Sequence, residues 1–80
     1  MLTKYIQAAM NKAHYEIIGD DGSFVGTIPG CQGVYSNAPT LEGCREELEE
    51  VLEEWIFLRI SRGLSLPEID GHQLAIKEVV

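Results

Sequence analysis

One long amphipathic helix is specified by residues 40–63, which read TLEGCREELEEVLEEWIFLRISRG. Thr40 is a favourable N-cap residue, and Gly63 stands where a left-handed residue is expected to end the helix. Between them, apolar residues recur at steps of three and four, which places them on one side of the helix. These residues are Leu41, Cys44, Leu48, Val51, Leu52, Trp55 and Leu58. Arg59 and Arg62 fall in the last turn, where cations complement the helix dipole.

Upstream of this helix, the sequence predicts a β-hairpin and a third strand. Residues 15–18 and 23–28 have a strand-like composition and flank an Asp-Gly turn signal at residues 19–22. After a glycine-containing connection, the β-rich residues 34–36 predict a short third strand. Residues 37–39 are expected to form a loop before the long helix.

Elements at the two ends of the chain complete the predicted order α-β-β-β-α-β. A first helix is predicted at residues 3–13, with Thr3 as its N-cap. Its apolar stripe consists of Leu2, Ile6, Ala9, Met10 and Ala13. A last strand is predicted at residues 73–79. This order is typical of a single α+β domain, here spanning residues 1–80, in which helices pack on a mostly antiparallel sheet.

The charge of the chain limits its partners. Thirteen acidic and six basic residues give the 80-residue chain a formal net charge of −7. Such a chain has no bulk electrostatic attraction to phosphate, so direct binding of nucleic acid is not expected. It also lacks the basic face of a membrane-surface protein, and a basic protein partner is favoured. Taken alone, the acidity is explained more simply by the hydration of a small protein.

The sequence predicts a cytoplasmic protein. Residues 1–6 contain no long apolar segment of the kind found in signal peptides. The longest apolar run, residues 55–58, is far shorter than the roughly 20 residues that span a bilayer. Cys31 and Cys44 are compatible with reduced thiols in the cytoplasm.

Three groups of residues suggest chemistry, and each has a simpler interpretation. Asp20 and Asp21 resemble paired metal-binding carboxylates, but aspartate is favoured at a hairpin tip because it bonds its own backbone. A zinc site usually has closely spaced ligand pairs, which are lacking among His14, Cys31, Cys44 and His72. Cys31 has no base motif near it that would mark a nucleophile. We therefore predict no metal, no cofactor and no enzymatic activity.

The polar side of the long helix is unusually acidic. Its glutamates are Glu42, Glu46, Glu47, Glu49, Glu50, Glu53 and Glu54. Several of these side chains lie four residues apart, and each like-charge pair at that spacing costs about 0.2–0.5 kcal/mol at low salt. A hydrated surface and a docking surface for a cationic partner both remain possible interpretations. If it is a docking surface, the candidate partner-binding residues are Glu46, Glu49, Glu50 and Glu53.

The end of the long helix is apolar nearly all round. Consecutive helical residues point about 100° apart, so the run at residues 55–58 cannot be covered on every side by a small domain. We therefore predict self-association into a homodimer or a higher homo-oligomer. The candidate residues for this contact are Trp55, Ile56, Phe57 and Ile60.

Residues 15–67 resemble the HicB family. The family pattern is a strand, an acidic-glycine turn, an aromatic-containing strand, a Pro-x-x-x-Gly connection, a short strand and a helix that opens with Thr-Leu-Glu. The motifs that match here are Asp20-Asp21-Gly22, Pro29-Gly30-Cys31-Gln32-Gly33 and Thr40-Leu41-Glu42. The helix end at Arg62-Gly63, followed by Pro67, also looks like the family.

The resemblance implies a partial ribonuclease-H-like fold and an antitoxin. Such a protein would neutralise HicA, a small basic RNA-cleaving toxin, by covering its active site. The chain departs from the family in having Ala38-Pro39 where Gly-Asp is usual, and Gly43-Cys44 after the helix-opening glutamate. Many HicB antitoxins continue into a C-terminal DNA-binding domain, for which a chain ending at Val80 leaves no room, so operator binding is not expected.

Two other classes of function remain open at this stage. The chain could be an orphan HicB-like domain that binds another protein or itself. It could also be a ribonuclease-H-like nuclease, which needs acidic residues converging on Mg²⁺ from strands and a helix. Only Glu16 lies inside the predicted hairpin strands, so the nuclease is the weaker alternative.

Overall fold

The structure is a computed structural model that describes residues 2–18, 20–69 and 71. Its elements are α1 (Leu2–Asn11), β1 (His14–Ile18), β2 (Ser23–Thr27), β3 (Tyr35–Ala38) and α2 (Leu41–Ser61). Within the described residues the order is α-β-β-β-α, which confirms the α+β class. The predicted last strand, residues 73–79, lies outside the described residues.

The three strands form one antiparallel sheet with β2 in the middle. Gly26 of β2 is opposite Tyr15 of β1 on one side and Ser36 of β3 on the other. Directly opposed residues share a face of the sheet, and this face is the one that α2 covers. Helix α1 packs in turn against α2, so the core lies between the sheet and the two helices.

Strand β3 runs further than the sequence predicted. It covers Tyr35–Ala38 rather than residues 34–36, because Asn37 and Ala38 continue the pairing with β2. The Asn37 side-chain amide donates a hydrogen bond to the Phe24 carbonyl at 2.9 Å, which holds this residue at the strand edge. Val34 instead precedes the strand and is buried in the core. The expectation of a loop at Asn37 and Ala38 is therefore wrong.

The predicted apolar stripe of helix α1 is confirmed in part: Ala9 and Met10 are buried and Ile6 and Ala13 pack against the core, whereas Leu2 is exposed. The helix begins at Leu2, so Thr3 lies inside the helix and is not its N-cap. The buried residues are Tyr5, Ala8, Ala9 and Met10. Leu2 is 46% exposed, Ile6 is only half-buried and Ala13 follows the helix end. The physical reason is Tyr5, which is fully buried while its hydroxyl donates a hydrogen bond to the Pro67 carbonyl.

The two turns of the hairpin region are built as their residue types predict. The Asp21 carboxylate accepts a hydrogen bond from the Ser23 amide at 3.0 Å, and this bond holds the pKa of Asp21 below its ordinary value. The turn interpretation of the aspartates is thus confirmed. After β2, the Cys31 amide donates to the Ile28 carbonyl at 3.1 Å across Pro29-Gly30, where Gly30 has φ +88°. Proline followed by a left-handed glycine is the signature of a type II turn.

Both predicted caps of α2 are present. The Thr40 hydroxyl accepts a hydrogen bond from the Gly43 amide at 3.0 Å. At the other end, Gly63 has φ +69° and its amide donates to the Ile60 carbonyl at 3.1 Å. The Leu64 amide reaches back to the Arg59 carbonyl at 2.8 Å, which completes a Schellman motif.

Helix α2 contacts the middle of the sheet through Cys44, which is fully buried as predicted. The Ser36 hydroxyl donates to the Cys44 carbonyl at 2.8 Å and lies 3.2 Å from the Cys44 sulfur. A Cβ atom on Gly26 would lie 3.0 Å from the Ser36 Oγ, 3.0 Å from a Tyr15 ring carbon and 3.2 Å from the Cys44 sulfur. Because Gly26 has no side chain, α2 can pack against the sheet at this point.

We expect Gly26→Ala to lower the free energy of unfolding by about 1–3 kcal/mol, since the added methyl group must displace three packed neighbours. Urea unfolding measures this change. Thr27→Ala, at the exposed neighbouring position on the opposite face of β2, is the matched control and should change stability little. Adding Cys44→Ala to Gly26→Ala should recover part of the loss. Equal stability of Gly26→Ala and wild type would contradict the close approach.

Burial raises the pKa of Tyr5 from its ordinary 10.0 to about 12. The folded state therefore favours the neutral phenol, and this stability is present below about pH 10 and lost as the pH rises towards 12. We expect Tyr5→Phe to cost about 1 kcal/mol at neutral pH, through the lost hydrogen bond, and to flatten the alkaline fall in stability. Burial also raises the pKa of Cys31 and of Tyr15, so the stability of the Tyr5→Phe variant should still decrease somewhat at alkaline pH.

Urea unfolding between pH 8 and pH 12 tests this expectation. Tyr35→Phe is the matched control, because the Tyr35 side chain is 66% exposed. That variant should keep the alkaline fall of the wild type. An alkaline fall in Tyr5→Phe as steep as in the wild type would show that another group is responsible.

Candidate partner-binding face

The buried side of α2 winds around the helix. Its buried residues are Cys44, Leu48, Leu52 and Ile56, each four residues after the last. Four residues turn a helix by about 400°, so the buried stripe moves by about 40° at each step. The solvent-exposed side of α2 rotates around the helix together with the buried stripe. This rotation determines which polar and which apolar residues lie on the same exposed surface.

All four candidate glutamates of the partner-binding prediction are exposed on α2: Glu46, Glu49, Glu50 and Glu53. Within the part of the chain that the structure describes, none of these carboxylates forms a hydrogen bond or an ion pair. Glu47 is different, because its carboxylate accepts a hydrogen bond from the Asn37 amide at 3.3 Å and so helps to hold β3. In the described residues these four carboxylates therefore hold no other element by a hydrogen bond or an ion pair, although the pKa of Tyr15, which burial raises, is raised further by the charge of Glu49.

The four residues predicted for self-association do not share one environment. Ile56 is 2% exposed and belongs to the core, so its assignment to a free surface is wrong. Trp55 is half-buried against the core, and the Arg59 guanidinium lies 5.0 Å from the centre of its ring. Phe57 and Ile60 are 60% and 38% exposed. The step of four from Leu52 to Ile56 was visible in the sequence, but it does not show how far burial continues along the helix, which is set by packing.

Phe57 and Ile60 line an open groove of about 350 Å³ next to α1. Leu2 contributes its exposed side chain from α1, and Glu53 stands at the acidic side of the groove. The remaining lining residues are Ile56 and Ser61. The groove explains where the exposed Leu2 lies, which the predicted stripe of α1 had assigned to the core.

The exposed glutamates and the groove form one continuous surface. Glu46, Glu50, Glu53, Phe57 and Ile60 follow one another at steps of four, three, four and three. This spacing keeps them on one side of a helix, over about 21 Å at 1.5 Å per residue. We call these five residues, together with Glu49, the α2 ridge. The glutamates and the apolar residues were predicted as two separate sites, although the spacing that joins them is visible in the sequence.

A second cavity lies on the other side of α2. It measures about 400 Å³ and is lined by Gly30, Gln32, Trp55, Arg59, Ser65, Leu66 and Pro67. Arg59 donates from Nε to the Ser65 carbonyl at 2.7 Å and stacks over Trp55. Arg59 thus ties the segment after α2 to the helix, a structural role that its position in the last turn did not predict.

No group of three or more His, Cys, Asp and Glu side chains converges in the described residues. Cys31 and Cys44 are both free thiols and both buried, and burial raises the pKa of the Cys31 thiol. His14 lies at the start of β1, and His72 falls outside the described residues. In addition, none of the described helices is both long enough and apolar enough to cross a membrane.

The fold defines a small α+β domain in which a long helix covers a three-stranded antiparallel sheet. Residues 4–67 match the model of the UPF0150-like family, and the chain belongs to that family. No curated protein matches the chain. Among solved structures, it is similar to crystallised TTHA0281 from Thermus thermophilus, with a TM-score of 0.90 and 32% sequence identity. That similarity covers 96% of this chain and 95% of the other.

We expect simultaneous replacement of Glu46, Glu49, Glu50 and Glu53 by Gln to stabilise the free protein slightly. The change removes like-charge pairs at helical spacings of three and four, each costing about 0.2–0.5 kcal/mol at low salt. The gain in the free energy of unfolding should vanish at high salt, where exposed charges are screened. Urea unfolding at two ionic strengths measures it. A gain that persists in high salt would point to a cause other than charge repulsion.

Proposed function

We propose that the chain is a HicB-like antitoxin, which binds a small basic RNA-cleaving toxin of the HicA type and neutralises it. The UPF0150-like family is related to HicB, which supports this class of function. The observation that carries the proposal is the row of exposed, unpaired carboxylates along α2. In the free protein these carboxylates repel one another, whereas a cationic partner would relieve that repulsion.

Neutralisation in this proposal is a matter of binding. The net charge of −7 steers a basic protein towards the chain, and the exposed row on α2 orients the encounter. The bound domain then covers the active site of the toxin and keeps RNA out. No chemical step by this chain is required, and its lack of enzymatic activity stays a prediction.

The direct test uses the small basic protein encoded beside this chain, if its sequence carries the single key histidine of a HicA-type toxin. We expect this chain to suppress RNA cleavage by that protein at a stoichiometric ratio. The chain alone, incubated with the same RNA and Mg²⁺, tests the nuclease alternative and should leave the RNA intact. Unchanged cleavage by the toxin in the presence of excess chain would refute the proposal.

The four Glu→Gln substitutions at positions 46, 49, 50 and 53 should slow association with the toxin and flatten its dependence on salt. Stopped-flow or surface-binding kinetics measure both quantities. The matched control removes the same number of charges elsewhere on the exposed surface, by Glu16→Gln, Asp20→Asn, Glu54→Gln and Glu68→Gln. If the two variants behave alike, net charge alone governs the encounter and the position of the glutamates does not matter.

Self-association is the second candidate function. Phe57 and Ile60 support it, because they lie one helical turn apart beside the exposed Leu2, and contiguous exposed apolar surface marks many interfaces. Under this alternative, the free chain forms a homodimer that Phe57→Ser dissociates. Sedimentation equilibrium over a range of micromolar concentrations measures the state, and a monomer at all of them would count against this alternative.

A further inference from the structure

We infer that the α2 ridge and its groove form one docking site for a basic amphipathic helix of the toxin. This inference rests on the proposed function and deepens it by naming the surface and the type of element bound. An apolar side chain of the partner helix fills the groove between α1 and α2. Its Lys or Arg side chains then lie against the ridge glutamates.

The apolar end of the site has the form of an anchor pocket. Phe57 exposes 60% of its surface, and Leu2 on the neighbouring helix exposes 46%. Together with Ile60 they line a groove of about 350 Å³, which has room for a large apolar side chain. Interfaces concentrate their binding energy in such pockets, which are often filled by an aromatic or aliphatic anchor.

The glutamates at the acidic end of the site lie at whole-turn distances from the apolar pocket along α2. Glu53 is one helical turn before Phe57, and Glu49 and Glu50 are about two turns before it. A partner helix that packs along α2 would therefore match the ridge with cations one and two turns away from its apolar anchor. This pattern defines a basic amphipathic helix, and helix-in-groove recognition is a common mode of peptide binding.

The charge of the ridge argues against the other occupants of the groove. A second copy of this chain would bring its own net charge of −7 and an identical row of carboxylates to the contact. Arg59, the cation of α2 nearest to Phe57 in sequence, cannot neutralise these carboxylates from its place on the other side of α2. There its guanidinium lies over the Trp55 ring and donates a hydrogen bond to the Ser65 carbonyl. An anionic membrane surface is disfavoured for the same electrostatic reason.

The test measures binding of the toxin, inactivated by replacement of its key histidine with alanine, to wild-type and variant chains. Phe57→Ser should weaken affinity by about tenfold or more, as expected for an interface anchor, and should leave the salt dependence unchanged. Leu58→Ser is the matched control. Leu58 is 52% exposed but points away from the groove, about 100° around the helix from Phe57. Its variant should bind within about twofold of wild type.

The charged end is tested in the same way. Glu53→Gln should weaken affinity and flatten its salt dependence, while Glu54→Gln, which lies about 100° around the helix, should change neither. Phe57, Leu58, Glu53 and Glu54 are all exposed, so each variant should keep the thermal stability of the wild type.

The outcomes separate this inference from the proposed function. If wild-type chain does not bind the inactivated toxin, both fail. If it binds and Phe57→Ser binds as tightly, the antitoxin proposal stands and the docking site is wrong. If Phe57→Ser dissociates a homodimer and keeps toxin affinity, the groove belongs to a second copy, which also overturns the inference.

Discussion

The close approach of α2 to the middle of the sheet is the constraint on which the rest of the structure depends. Gly26 offers no side chain at the centre of β2, so Cys44 can lie against the sheet and its carbonyl can accept a hydrogen bond from Ser36 at 2.8 Å. Cysteine suits this position because it is small and its thiol can also bond: the sulfur lies 3.5 Å from the Phe24 carbonyl. A larger residue at either Gly26 or Cys44 would push the N-terminal half of the helix away from the sheet.

That contact fixes the rotation of α2 about its axis, and the rotation decides what the helix shows to solvent. With Cys44 and Leu48 against the sheet, the steps of four that follow carry the buried side round to Ile56 near α1. The opposite side then carries glutamates first and apolar residues afterwards. The α2 ridge is therefore a consequence of how α2 is rotated against the sheet. Its acidic part and its apolar part are adjacent at Glu53 and Phe57, so they form one continuous surface.

The elements of this fold that are governed by local chemistry were predictable, and those set by packing were not. Thr40 and Gly63 cap α2 as expected because a cap depends on a few backbone groups. The buried face of α1 was predicted only in part, because Tyr5 can be buried only where the Pro67 carbonyl, distant in sequence, accepts a hydrogen bond from its hydroxyl. The candidate glutamates are exposed, as predicted. Ile56 was predicted to be exposed but is buried, because the sequence does not show how far along α2 the contact with α1 extends.

The arrangement of charge and apolar surface along the ridge also constrains how it can act. A carboxylate loses strong hydration when it is buried, and the attraction of a counter-charge often does no more than offset that cost. In the proposed complex the glutamates would therefore act best at a hydrated rim, where they would guide a basic partner and disfavour acidic ones. Lasting affinity must come from removing apolar surface from water, and Phe57 with Ile60 and Leu2 supplies that surface beside the row. Under the proposed function, a helix that exposes glutamates first and an apolar groove last would thus divide recognition into two roles, selection by charge and retention by burial.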